Sequence, residues 1–409
     1  MSIKKIALHW QILIAIGLGA AFGFFFHHQA PYIEWIGKMF LRALGMIVIP
    51  LIFSSLVMGM TNMGRSLDLG RIAGKTLLFF VGTTALAATL GIFLVNIIKP
   101  GVGADLNLTQ SVTNIAVAEV SFVDQLVRTI PSNIFEDLSK GNLLPVVFFA
   151  MVFGFFITRT GDKTRQVMGD FFNSTFDVVM QMTMFIIKFA PFGVFSLVAN
   201  VVARQAGDVG ALMNVLGGLG IYTGTIWGGC LIHGLITLPL VVYLFTRLNA
   251  YKLIKKMSTP LLTAFSTCSS GAALPFALRD IQAKVGVSNK IASFVHPLGA
   301  TINMNGTALD ECVSALFIAQ AYGINLTIAQ QIMLVLVAIM AAIGAAGIPM
   351  AGLVMLAVVL GAVGLPLEGI GLVIAVQQLC DMARTPINVF GDACTAVVVA
   401  HTEGEQLSL

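Results

Sequence analysis

Apolar residues fill most of the chain in blocks of about 20, the length an α-helix needs to cross a bilayer, with short polar stretches between them. The blocks predict eight spans, at about residues 6 to 26, 38 to 61, 74 to 98, 142 to 158, 175 to 203, 212 to 246, 289 to 320 and 367 to 400. Eight spans put both termini on one side of the membrane. Lys4 and Lys5, then Arg65, Arg71 and Lys75, then Arg159, Lys163 and Arg165, then Arg247, Lys252, Lys255 and Lys256 mark every second connection, so that side is expected to be cytoplasmic. The stretch from Gly101 to Lys140 is mixed and polar, and its pattern assigns no element.

Two segments depart from simple spans. No residue from Ile332 to Leu367 is charged, and roughly 36 residues in one helix would be about 54 Å long against a hydrocarbon core of about 30 Å. The run is expected to fold back at Gly344-Ala345-Ala346-Gly347-Ile348-Pro349, where Gly and Pro let the backbone turn. A second hairpin is written from Leu261 to Leu278, with Ser266-Thr267-Cys268-Ser269-Ser270-Gly271 at its tip. Lys255 and Lys256 before it and Arg279 after it make it enter and leave on the cytoplasmic side. Irregular backbone at membrane depth survives only where protein or a wet cavity satisfies it, so both tips are expected to face a cavity. Each hairpin precedes a span interrupted by polar residues, Asn303 to Thr307 in one case and Asp381 to Asn388 in the other. That is an internal repeat of inverted topology, the arrangement that sets binding sites near the midplane of secondary transporters.

Composition narrows the class. The chain is 57% hydrophobic and 10% charged, against about 45–50% and about 25% in soluble domains, which excludes a protein kept in water. Its net charge of +4 gives no support to nucleic-acid binding. The basic start resembles a signal peptide, but the stretch from Ile6 to Phe26 is too long and lacks a small-residue cleavage site, so it reads as a retained first span. The five cysteines, Cys230, Cys268, Cys312, Cys380 and Cys394, are scattered in apolar segments and form neither a disulfide framework nor a zinc spacing.

The chemistry concentrates in two places. In the last span Asp381, Arg384 with Thr385, Asn388 and Asp392 recur at steps of three or four, on one helical face. Ionisable groups at this depth mark a solute or ion path by default, and a bridge that only fixes packing is the alternative. In the seventh span Asn303, Asn305 and Thr307 offer uncharged oxygens beside the helix breaker Gly306, a donor set for a hard cation or for hydrogen bonds between helices. Asp310 and Glu311, a turn further on, are candidates for carrying a proton, one expected to face the interior and the other to reach the rim.

The chain resembles the dicarboxylate/amino acid:cation symporters, the family of the archaeal aspartate and mammalian glutamate transporters. The likeness runs from Arg42 through Ile130-Pro131-Ser132-Asn133 and Ala190-Pro191-Phe192-Gly193 to Leu298-Gly299-Ala300-Thr301-Ile302-Asn303-Met304, Asp381-Met382-Ala383-Arg384-Thr385 and Asn388-Val389-Phe390-Gly391-Asp392. The resemblance implies an all-α polytopic fold of eight transmembrane helices and two re-entrant hairpins, working as an elevator in a homotrimer of the inner membrane. It implies scaffold helices in residues 1–72 and 101–205, and a transport unit made from residues 73–100 and 206–409. It also implies a substrate site in which Asp381 takes an ammonium with the carbonyls of Cys268 and Ile348. Arg384 takes a side-chain carboxylate with Thr307 and the backbone at Gly352, and Ser269, Ser270 and Asn388 meet the α-carboxylate, with Thr385 beside them. One sodium ion would use Gly299, Asn303, Asn388 and Asp392, and a second Thr301 with carbonyls of the outer tip. A third would use Thr83, Thr84 and Asn305, but this chain has Asn305 for the family's Asp and Phe80 for its Tyr, so that site loses its carboxylate. Gln377 replaces an acid one turn before Asp381, neither Cys268 nor Met382 supplies an expected arginine, and Asp310 stands where a Tyr is usual. Glu311 matches the residue that carries a proton in animal members, which makes it the interior acid of the pair.

The expectation is therefore a symporter for an acidic amino acid, aspartate or glutamate, driven by sodium, with protons as the candidate second coupling ion. A C4-dicarboxylate would leave Asp381 as an unpaired negative charge, and a neutral amino acid such as serine or threonine would leave Arg384 without its carboxylate. A channel would want a ring of filter residues. An enzyme built on Ser269, His233 and His296 lacks a motif that places nucleophile, base and orienter together.

Overall fold

A computed structural model describes residues 8–63, 70–102, 127, 130–140, 143–204, 209–344, 351–374 and 376–409, and among them it contains helices and no strand. The longer helices in the first half are α1 (Leu8–Phe25), α2 (Glu34–Met63), α3 (Gly70–Ile98), α4 (Leu143–Arg159), α5 (Asp162–Ile187) and α6 (Ala190–Arg204). The second half follows with α7 (Val209–Ile232), α8 (Leu238–Thr246), α9 (Ser258–Thr267), α10 (Ser270–Asp280), α11 (Asn289–Ile302) and α12 (Asn305–Ala321). It closes with α13 (Ile328–Gly344), α14 (Ala351–Ala362) and α15 (Gln377–Thr402).

The helices pack in two groups. In the first, α2 packs against α4, α5 and α6, and α1 against α6. Glycines at α1 positions 19 and 23 face the backbone of Phe195 and Ala199 with no room for a Cβ, the close approach by which small residues join helices in lipid. In the second group α12 is central, touching α3, α7, α13, α14 and α15. Every residue of α12 from Asn305 to Ala319 is buried, so it has no solvent or lipid face. The groups meet where α13 and α14 lie on α2 and α4.

Arg71–Ile98 and Gly217–Thr246 are each long and apolar enough to cross a membrane. The second passes through a π-helical turn at His233–Thr237, which joins α7 to α8 without a break and matches the predicted sixth span. The predicted fifth span, 175 to 203, is corrected: α5 begins earlier, at Asp162, and α6 leaves it at an angle of 52°. Pro191 explains the bend: it has no N–H to continue the helical ladder and its ring crowds the carbonyl four residues back, so α5 ends and a new helix begins with proline in its first turn. The last predicted span is likewise shorter, with a turn at Leu367–Gly369 and a short helix Ile370–Val373 ahead of α15.

Both predicted hairpins correspond to helix pairs in contact. α9 and α10 meet at Cys268, whose backbone is left-handed (φ 51°), and Ser269 caps α10 by accepting from the Ala272 amide at 3.2 Å. The charge-free run forms α13 and α14; the tip residues 345–350 lie outside the described residues.

Candidate solute and cation site

α15 brings its polar residues onto one buried stripe facing α12, as the spacing predicts. Asp381, Arg384, Thr385, Asn388 and Asp392 are all at most 4% exposed. Arg384 Nε donates to Asp381 Oδ1 at 2.9 Å, and Thr385 Oγ1 donates to the same oxygen at 2.8 Å. The other end of the guanidinium, Nη1, donates to Asp310 Oδ2 on α12. Asp310 is closed by three more donors: Gln377 Nε2 at 2.9 Å, Ser314 Oγ at 3.0 Å and Tyr222 OH at 3.3 Å. Gly352 at the start of α14 lies so close to the guanidinium that a Cβ would collide with it, and Gly306 of α12 is pressed in the same way on the Arg384 backbone. Two helices thus reach the arginine only because they lack a side chain there.

One turn further along α15 the polar groups are uncharged. Asn388 Oδ1 accepts from the Gly306 amide at 2.7 Å and its Nδ2 donates to Thr307 Oγ1 at 3.2 Å, bridging the break between α11 and α12. Asp392 accepts from Asn303 Nδ2 at 2.8 Å, and Gly299 sits against its carboxylate with no space for a Cβ. The Asn303 Oδ1 atom is buried without a partner. A carboxylate, an unspent amide oxygen and a broken helix in one place form an oxygen set suited to a hard monovalent cation. Thr301 lies close by in sequence, but its hydroxyl bonds back to the Leu298 carbonyl at 2.9 Å.

The predicted third cation group is assembled differently. Thr84 donates to Asn305 Oδ1 at 2.7 Å, with Thr83 at 3.5 Å, so the amide oxygen is already engaged and the unpartnered atom is the donor Nδ2. An orphaned donor repels a cation, which agrees with the loss of the carboxylate there.

Cys268, Ser269 and Ser270 sit at the α9–α10 junction. Cys268 Sγ accepts from Gln378 Nε2 at 3.1 Å, tying this junction to the first turn of α15, and the Ser270 hydroxyl is buried without a partner. Ile348 lies outside the described residues. The expectation that one of Asp310 and Glu311 reaches the rim is corrected: both are 1% exposed, because α12 is enclosed on every side. Glu311 differs from its neighbour in that both of its carboxyl oxygens lack a hydrogen-bond partner. Sequence reasoning missed Tyr222, Ser314 and Gln378. Ser314 carried a signal, four residues after Asp310 on the same helix, whereas Tyr222 is a lone hydroxyl in an apolar span far away in the chain.

The sequence profile of the sodium:dicarboxylate symporter family matches residues 8–402. This chain belongs to that family. It is 36% identical to a proton/sodium-glutamate symport protein of Bacillus caldotenax, over 98% of this chain and 96% of the relative. It is 34% identical to a proton/glutamate-aspartate symporter of Escherichia coli K12, over 98% and 93%. It is also 38% identical to the rabbit (Oryctolagus cuniculus) neutral amino acid transporter B(0), over 89% of this chain and 72% of the relative. The protein is a multi-pass membrane carrier and not an enzyme.

Proposed function

We propose that this carrier takes up an acidic amino acid, aspartate or glutamate, in symport with sodium and protons. The observation that carries the reading is the buried pair Asp381 and Arg384, one turn apart on α15 and continuous with Asn388 and the Asp392–Asn303 group. A carboxylate for an ammonium and a planar guanidinium fork for a carboxylate are the complement of a zwitterion with an acidic side chain. Thr307, Thr385, Asn388, Ser269, Ser270 and the backbone at Cys268, Ile348 and Gly352 complete the proposed substrate shell. Sodium is assigned to Asp392, Asn303, Asn388 and the Gly299 carbonyl, and a second ion to Thr301. Glu311 is assigned the proton, since a charge on its unpartnered carboxyl has nothing to compensate it. The names of the bacterial relatives, which pair glutamate with protons or with protons and sodium, support this combination.

The two packing groups support a division into a scaffold of residues 1–72 and 101–205 and a transport unit of residues 73–100 and 206–409, moving as an elevator within a homotrimer. In this reading α9–α10 and α13–α14 are the re-entrant hairpins among eight spans. Both termini are cytoplasmic and the membrane is the inner one. A neutral substrate is the second reading, favoured by the two carboxylates that already flank Arg384 and by the likeness to a neutral amino acid transporter. Uptake into liposomes of labelled aspartate, glutamate, serine, alanine and succinate, with sodium and pH gradients varied independently, tests both. Concentrative aspartate or glutamate uptake is expected; uptake confined to serine and alanine moves the assignment to the second reading.

A further inference from the structure

Arg384 is the cation assigned above to an acidic substrate, and this inference rests on that assignment. Its two ends are not equivalent. The Nε end meets Asp381, three residues away on the same helix, whereas Nη1 meets Asp310, which belongs to a different helix. Asp310 is held there by Gln377, Ser314 and Tyr222, drawn from α15, α12 and α7, so both oxygens of its carboxylate are saturated. The Tyr222 hydroxyl also lies 2.7 Å from Ser314 Oγ, which fixes the shell as a unit. All of these groups are buried.

A substrate carboxylate arriving at Arg384 would be the third around a single guanidinium. Like charges crowded in a buried site disfavour one another strongly, and because the substrate's ammonium is taken by Asp381, its side-chain carboxylate and Asp310 are left to compete for the one guanidinium. Close contact with Gly352 on the other side limits the room for a guanidinium to serve both acids by shifting.

We infer that Asp310 is a built-in competitor for the carboxylate-binding end of Arg384, a positioning residue that sets the balance between acidic and neutral substrates. An acidic amino acid binds only after Asp310 lets go of Nη1. A neutral one binds with Asp310 in place, because the arginine's charge is already met. Specificity is then a difference between two affinities, tuned by a repulsive element within the protein.

The test is equilibrium binding of aspartate and of serine to the purified full chain and to Asp310→Asn, at saturating sodium. The amide keeps the side chain's size and one oxygen to accept from Arg384 and Gln377, replaces the other with an NH2 from which the Ser314 and Tyr222 hydroxyls can accept, and removes the charge. Expected is a tenfold or greater gain in aspartate affinity with unchanged or weaker serine binding, a change of selectivity that a merely structural role would not produce. Asp310→Ser, measured alongside, should change selectivity in the same direction and covers the case in which the first variant does not fold. If folded variants bind aspartate no better than the native chain, the competitor role is wrong while the substrate assignment stands. If the native chain binds serine only and the variant gains aspartate, Asp310 acts as inferred and the acidic assignment for the native chain falls. Absence of aspartate binding in native and folded variant proteins alike overturns both.

Discussion

The two halves of the polar stripe on α15 are built from the same kinds of residue and finished in opposite ways. Around Arg384 every charge has a partner: Asp381 and Asp310 take the guanidinium, and Asp310 is filled by three further donors. Around Asp392 the count is left open, with one donor from Asn303 and an amide oxygen with nothing to accept. Buried polar groups are normally satisfied, so an orphaned oxygen beside a carboxylate fits the cation proposed there. A saturated ion pair signals that a solute must exchange with something the protein already provides. Under the proposed assignment the first half is a site of exchange and the second a site of addition.

The sharpest way to break this contrast is to remove the guanidinium. Arg384→Cys should abolish measurable uptake of aspartate and glutamate and admit neutral amino acids. It also strands Asp381 and Asp310 in the interior, where breaking a buried pair costs about 3–5 kcal/mol, so its melting temperature should fall clearly. Aspartate affinity equal to that of the native protein would remove Arg384 from the site.

Next in size is the open half. Asp392→Asn should weaken sodium binding, and at sub-saturating sodium aspartate binding should weaken with it, by at most the coupling factor between the two ligands, on the order of 5- to 150-fold. Sodium affinity unchanged in this variant would transfer the ion to other residues.

A smaller effect separates contact from charge. Gly352→Ala places a methyl group on the guanidinium without altering any charge. It should reduce aspartate affinity by about tenfold, roughly the 1.4 kcal/mol of one displaced hydrogen bond to a charged group. Isothermal titration reads it directly, and a silent Gly352→Ala would mean that α14 does not close on Arg384.

Much of this site was legible before any coordinates, for reasons that differ by residue. The spacing of Asp381, Arg384, Asn388 and Asp392 follows helical periodicity, and an ionisable residue in an apolar span has few roles. The helix breaks were legible because a charge-free run too long for one crossing must be interrupted, and that run divides into α13 and α14, while the Ser- and Gly-rich segment divides at Cys268 into α9 and α10. What stayed hidden depended on the tertiary neighbours of single atoms. Asp310 and Glu311 are adjacent in sequence and equally buried, yet one has four donors and the other none. Ser314, one turn on, is the one local donor; Tyr222, Gln377 and Arg384 each come from more than 60 residues away. The bend between α5 and α6 was missed because hydropathy continues across it, although Pro191 was in view.

The smallest expected effect lies past the last helix. Just past the end of α15, Glu403 binds Arg71 and Lys75 of α3, and these two cations hold its carboxyl below the usual range. A depressed folded value contributes stability above the unfolded pKa that is lost as pH falls through the folded one. Native protein should therefore lose a slight excess of thermal stability over Glu403→Gln between about pH 5 and the folded value, measured by melting in detergent at several pH values. The three groups are only partly buried, with Arg71 exposed, so added salt should shrink the difference.

The claim that the two halves of α15 form one coupled site is tested most directly by reciprocal binding. Aspartate affinity is measured at low and high sodium, and sodium affinity with and without aspartate, on the native chain. Expected is a tighter fit of each in the presence of the other, by the same factor in both directions. Aspartate binding that is indifferent to sodium would contradict the account.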